Sequence, residues 1–175
     1  MAPRGRKPGS TGGRSAPEPP PVVRNGWGIY VWDEFRQTWT RLRAEVERLK
    51  ASDPANYKRH PTTIFLRDLR DIVLSQVAAN PDHKRYRLGT TLGPGYRHWR
   101  RVKFRDRFRL FFRYSSKHNA IVFVWLNDEK TLRKEGSRTD VYAVFRTMLK
   151  GKQPPTDWAD LLAACKKWLE PEVAE

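Results

Sequence analysis

The stretch Arg100–Ser115, RRVKFRDRFRLFFRYS, admits little besides a β-hairpin. Apolar residues recur at every second position through Val102 and Phe104, and again through Phe108, Leu110, Phe112 and Tyr114. Successive side chains of a strand point to opposite faces, so Arg100 shares the face of Val102 and Phe104. The other face collects Trp99, Arg101 and Lys103 from the first strand and Arg109, Phe111 and Arg113 from the second. One face reads as core and the other as a cationic platform. Like charges gathered on one sheet face repel each other and hydrate badly when covered, so folding alone gives little reason to place them there. A polyanion supplies the reason.

The charge balance agrees. The 175 residues carry 35 Lys and Arg against 19 Asp and Glu, a net charge of +16. Half of that excess lies between Arg97 and Lys117, where nine cations face one acid, Asp106. Such a balance favours nucleic acid over an anionic membrane surface. A hydrophobic content of 38% suffices for one ordinary core. No apolar run is long enough to span a bilayer, and the arginine-rich start lacks the apolar segment of a signal peptide. The single Cys165 excludes an intramolecular disulfide framework and a cysteine-rich zinc site, and no His, Cys and Asp group has ligand spacing. A soluble protein of the reducing cytoplasm, with no metal and no cofactor, is expected.

Along the chain, residues 1–24 are rich in Pro and Gly, carry five cations and one acid, and read as a disordered basic arm. A single domain is expected over 25–170. Phe35, Trp39, Leu42, Val46 and Leu49 recur at helical spacing from Asp33, a candidate N-cap, to about Lys50. Ser52-Asp53-Pro54 is a turn. Pro61 restarts a second helix whose stripe of Ile64, Phe65, Leu69, Ile72, Val73 and Val77 ends near Asn80-Pro81, and two such short-linked helices pack antiparallel. The glycine-rich segment Gly89–Gly95 lacks the Gly-Lys-Ser/Thr of a phosphate-binding loop and leads into a strand, which excludes a nucleotide site of that kind. A third strand, Ala120–Asn127, is apolar on both faces, as for a central strand. After a charged loop, Thr139 is expected to cap a helix through Lys150. A last helix, carrying Trp158, Leu161, Leu162, Cys165, Trp168 and Leu169, is expected to stop before Pro171. The order is α+β.

Four segments carry a more specific resemblance: Asn25-Gly26-Trp27, the run from Trp99 through Ser115, VWLNDEKTLRKEG from Val124, and TDVYAVFRTMLKGKQPPTDW from Thr139. Together they resemble the YhaV family of bacterial toxins, within the RelE/ParE superfamily of small ribonucleases, over about residues 24–162. The resemblance implies a RelE-like fold: an N-terminal helical hairpin packed on one face of a small curved antiparallel sheet, with C-terminal helices. It implies the toxin of a type II toxin-antitoxin system, an endoribonuclease that cuts mRNA at or near the ribosome and inhibits translation. It also implies a PrlF-type, AbrB-like antitoxin that neutralises the toxin in an oligomeric complex. Carried over by position, the catalytic residues are Arg101, Lys103, Arg109 and Arg133, with Tyr142 a weaker match.

RNA brings its own nucleophile, the 2′-OH beside the scissile phosphate. The protein has only to orient it, stabilise the extra phosphorane charge and move two protons. In this scheme Arg101 and Arg109 clamp the phosphate through their planar forks. Lys103 is the candidate base, and Arg133 or Tyr142 stabilises or protonates the leaving 5′ oxygen. Arg100, Arg105, Arg107, Arg113 and Lys134 are expected to bind the RNA backbone, and Trp125 to stack on a base. His98, beside Trp99, is a weaker acid-base candidate, and Asp128, Glu129 and Asp140 are more simply helix caps and solubilising charge. Two other readings remain open: a noncatalytic RNA- or ribosome-binding module, for which charge and aromatics suffice, and a ParE-like toxin with a protein target.

Overall fold

The computed structural model describes residues 15–174. The proposed arm therefore lies largely outside the described residues, but its end is joined to the body. The Glu170 N–H donates to the Pro20 carbonyl at 3.1 Å, Val22 is fully buried, and Val23–Arg24 forms strand β1. Asn25 and Gly26, both at positive φ, make the tight turn from β1 into β2 (Trp27–Val31). Helices α1 (Asp33–Ser52) and α2 (Pro61–Asp71) follow. The second continues through a π-helical turn (Ile72–Gln76) into α3 (Val77–Ala79). Then come β3 (Arg100–Phe104), β4 (Phe108–Ser115), β5 (Ala120–Leu126), α4 (Val141–Lys150), α5 (Trp158–Ala164), β6 (Lys166–Lys167) and α6 (Glu170–Val173).

The sheet is mixed, not wholly antiparallel, and has six strands in the order β1-β2-β5-β4-β3, with β6 also on β2. The early strand β2 enters parallel to β5, with Ile29 opposite Ile121 and Val31 opposite Phe123. That makes β5 a central strand, as its two-faced apolarity requires. The hairpin register is regular: Val102 pairs with Leu110, Arg101 with Phe111 and Lys103 with Arg109.

Two cores flank the sheet. On the first face Phe35, Trp39, Leu69 and Val73 pack onto Val102, Phe104, Leu110, Phe112 and Phe123. On the second, Val141, Phe145, Leu149 and Leu161 cover Trp99, Phe111, Val122 and Val124. The expected open platform is therefore largely roofed by α4 and α5. Phe145 stacks on Phe111 with centroids 3.9 Å apart and meets Trp99 edge-on at 5.3 Å. Apolar residues interspersed with the platform cations had to be buried somewhere, and the late helices bury them.

Three boundaries differ from expectation. Trp32, not Asp33, precedes the first turn of α1, with no side-chain cap. Asp140, not Thr139, caps α4, its side chain accepting the Tyr142 N–H. The last helix ends at Ala164, and Lys166–Lys167 pairs with β2, which turns Trp168 into the first core. Pro171 sits in the first turn of α6 instead of ending a helix, since its missing N–H is no loss there.

Candidate active site

Arg101 and Arg109 lie diagonally across the β3–β4 pair, on the face that α4 approaches. Asp140 caps the helix, so Tyr142 stands in its first turn and reaches down to the strands. Its hydroxyl accepts a hydrogen bond from Arg101 Nε at 3.0 Å and a second from Arg109 Nε at 3.0 Å. With both lone pairs taken, the phenol retains its own O–H to donate. Arg133 lies over the same ring, 5.0 Å from guanidinium carbon to centroid. Four of the five expected catalytic residues thus converge: Arg101, Arg109, Arg133 and Tyr142. The fifth, Lys103, is exposed directly across the strand pair from Arg109.

Each guanidinium is anchored by backbone carbonyls or a carboxylate. Arg101 Nη1 donates to the carbonyls of Arg85 and Arg87, both at 3.1 Å. Arg109 Nη1 donates to the carbonyls of Asp106 at 2.5 Å and Phe108 at 2.8 Å. Asp106 can offer its carbonyl because Arg105 and Asp106 both take positive φ in the tight β3–β4 turn. Arg133 is held by Asp140, Nη1 to Oδ1 at 2.6 Å. Burial would raise the Asp140 pKa, but hydrogen bonds from Arg133 and from the N–H groups of Lys134 and Tyr142 outweigh it and hold the carboxyl below its ordinary value. The hydrogen bond to Asp140 raises the Arg133 pKa in return.

Carboxylate pairing divides the cations of the hairpin. Arg100 points to the first face, over the Tyr114 ring, with Asp82 at 3.8 Å. Arg105 pairs with Asp68 at 2.5 Å. Among the described residues, Arg101, Lys103 and Arg109 have no carboxylate partner, although Arg109 is only 7% exposed. A buried cation without a counter-ion is costly. Its compensation here comes from neutral carbonyls and a phenol, which leaves net positive charge facing the cleft.

Several expected binding residues lie elsewhere. Arg113 stands at the far end of β4 between Trp99 and Trp158, 5.5 Å from each ring, and donates through Nη1 to the Thr156 carbonyl. Burial pushes its pKa down to about 10, still charged at neutral pH. His98 belongs to this second cluster. Burial first, then Arg113, lower its pKa. Trp125 is half-buried against the second core. A bulge in β5 opposite Phe111 and Phe112 turns it toward the second core, where it stacks against Phe111 and Phe145. Arg107 is exposed at the hairpin tip, its Nε donating to the Arg133 carbonyl at 3.2 Å. Lys134 is also exposed and donates its backbone N–H to Asp140 at 2.6 Å.

Two contributors were missed in the sequence. Asn127, 3% exposed, accepts the Arg109 N–H at 2.7 Å and donates to the carbonyls of Arg107 and Thr131, tying the charged loop to the hairpin. A polar residue ending the apolar run AIVFVWLN was its available signal. In the sequence Asp140 reads most simply as a cap or solubilising charge, and nothing in its spacing reveals the bond to Arg133. Among the described residues no group of three or more His, Cys, Asp or Glu could hold a metal ion, and no helix is long and apolar enough to cross a membrane.

Residues 29–166 match the model of a family described as a toxin with endonuclease activity, of a toxin-antitoxin system. The chain belongs to the YhaV toxin family. It is 45% identical over 139 residues to the ribonuclease toxin YhaV of Escherichia coli strain K12, covering 78% of this chain and 90% of that one. The toxin YhaV of Escherichia coli O6:H1 matches at the same identity and coverage. No solved structure matches this chain. The YhaV match spans both strands of the cationic hairpin, the Asp140 cap and Tyr142.

Proposed function

We propose that this chain is a metal-independent endoribonuclease that cleaves mRNA by activating the substrate 2′-OH. The observation that carries the reading is the Tyr142 hydroxyl held between Arg101 and Arg109, beside cations that no carboxylate neutralises. A phosphate placed there completes the electrostatics. Arg101 and Arg109 each have an Nη2 that makes no hydrogen bond among the described residues, so both forks can reach the nonbridging oxygens and stabilise the phosphorane. Tyr142, its lone pairs filled, donates its proton to the leaving 5′ oxygen. Lys103, at the exposed edge, takes the proton of the 2′-OH. Arg133, paired with Asp140, packs over the Tyr142 ring and fixes the phenol in place rather than adding free charge.

The wider reading follows the same relationship. The packing of α1 and α2 against one sheet face supports a RelE-like fold. The domain, expected over 25–170, takes in Val22 and Val173 as well, and the protein acts in the cytoplasm on ribosome-associated mRNA. A PrlF-type antitoxin restrains it, and the +8 hairpin would steer an acidic partner.

The test uses one RNA with and without a 2′-deoxy substitution at the mapped cleavage position, in buffer containing EDTA. Cleavage should occur only with the 2′-OH present. Tyr142→Phe should lower kcat by about 10²–10⁴-fold, with the circular dichroism spectrum unchanged. Equal cleavage of both substrates, or full activity of Tyr142→Phe, refutes the mechanism.

A further inference from the structure

Beside Tyr142 a cleft of about 360 Å³ opens between α4 and two loops, lined by Thr91, Arg133, Gly136, Ser137, Asp140, Ala143 and Arg146. Its charges are unequal. The Asp140 carboxylate is occupied by three donors, Arg133 Nη1 and the backbone N–H groups of Lys134 and Tyr142. Arg133 is therefore neutralised. Arg146 is exposed and has no carboxylate partner among the described residues. Its Nη2 donates to the Thr91 carbonyl at 2.9 Å, which draws the guanidinium to the cleft wall opposite the 134–140 loop and leaves its other nitrogens to bind.

We infer that this cleft is the subsite for the nucleotide downstream of the scissile bond, and that Arg146 binds the next phosphate on that side. The inference rests on Tyr142 acting as the proton donor in the ribonuclease reading. If Tyr142 protonates the 5′ oxygen, the nucleoside carrying that oxygen must lie against Tyr142, on its open side. The cleft is that space. Arg146 follows Tyr142 by four residues, one turn along the same helix face and about 6 Å further. That displacement is on the order of one nucleotide of extended chain, so the ribose and base occupy the cleft while the following phosphate meets Arg146. The open space around Gly136, at φ +78°, keeps the loop wall free of a side chain that would narrow the cleft.

The experiment measures binding, which separates this inference from catalysis. A short RNA spanning a cleavage position mapped on the wild-type chain carries 2′-deoxy at that position to prevent cutting. It also carries a single neutral methylphosphonate at the scissile phosphate, the first downstream phosphate or the first upstream one. Fluorescence anisotropy reads the affinity. For the wild type, neutralising the first downstream phosphate should weaken binding about tenfold, as expected for one lost charge-assisted contact. For Arg146→Ala that same substitution should have no effect, while the scissile methylphosphonate still weakens binding. Arg146→Lys, which keeps the charge, should restore part of the downstream sensitivity. If Arg146→Ala keeps the full downstream sensitivity, or if its loss falls on the upstream phosphate, the subsite assignment is wrong while RNA cleavage stands. If the wild-type chain neither cuts nor binds RNA, both readings fall together. A thermal melt of Arg146→Ala checks that losing the Thr91 contact has not unfolded the loop.

Discussion

Asp140→Asn tests whether the site is held together by a carboxylate. In the wild type Oδ1 accepts from Arg133 Nη1 and the Lys134 N–H, both at 2.6 Å, and Oδ2 accepts from the Tyr142 N–H at 3.1 Å. The amide keeps the shape but exchanges one acceptor for a donor. If its oxygen caps α4, its NH₂ faces Arg133 and the Lys134 N–H. If its oxygen faces those two, the cap is lost. Either way at least one inward donor is unmatched, at about 1–3 kcal/mol. The charge on one side of a pair whose side chains are only 29% and 7% exposed is also removed. A loss of about 2–4 kcal/mol is expected at neutral pH. The pH dependence sharpens the test. The carboxyl pKa is lower in the folded chain than its ordinary 3.8, so its contribution is complete above that value and disappears as pH falls through the folded one. Urea unfolding of both proteins at pH 7 and near pH 3 should show the difference shrinking in acid. Arg133 would no longer be fixed over Tyr142, and kcat should fall by about 10–100-fold with a smaller change in KM. A loss below 1 kcal/mol at pH 7, or one equal at both pH values, refutes the assignment.

Trp125→Leu should lower the melting temperature through a loss of about 2–4 kcal/mol of aromatic packing, while the folded variant keeps its RNA affinity in a filter-binding assay. His98→Ala should leave the pH profile of cleavage unchanged, because His98 belongs to the Arg113 and Thr156 cluster. Lys103→Gln should stabilise the fold by about 0.2–1 kcal/mol in low salt, because Lys103 stands directly opposite Arg109 in the strand pair. The gain should vanish in 1 M salt, and cleavage should slow.

The hairpin was legible because strand periodicity is strict: a residue's face follows from parity, and Val102, Phe104, Leu110 and Phe112 all lie in the first core. Parity assigns a face without saying what covers it. Phe111 was the clue that the cationic face would be partly roofed, yet its partner Phe145 lies 34 residues later and is joined to it only by tertiary packing. Trp125 escaped for another reason. A bulge reverses parity locally, and nothing in FVWL announces one. The C-terminal segment fitted a longer helix because Leu161, Leu162, Cys165, Trp168 and Leu169 satisfy helical spacing. Two backbone pairings with β2 and burial of Trp168 beneath α1 override that preference.

Counting cations located the hairpin, but it could not rank them. Pairing ranks them. Arg100 meets Asp82 in the turn after α3 and Arg105 meets Asp68 of α2, so their charge is absorbed by the fold. Arg101 and Arg109 instead fix their guanidiniums with neutral carbonyls and a phenol, which orient the forks without cancelling them. Such orientation is what a phosphorane-stabilising site needs, because the donors are already aimed before the charge develops. The same choice leaves repulsion in the empty site, since Lys103, Arg101 and Arg109 share one face. A bound phosphate relieves that repulsion only while it sits among them, and the relief grows as the phosphorane gains charge. The cations that contribute least to folding are therefore the ones with most to contribute in the transition state.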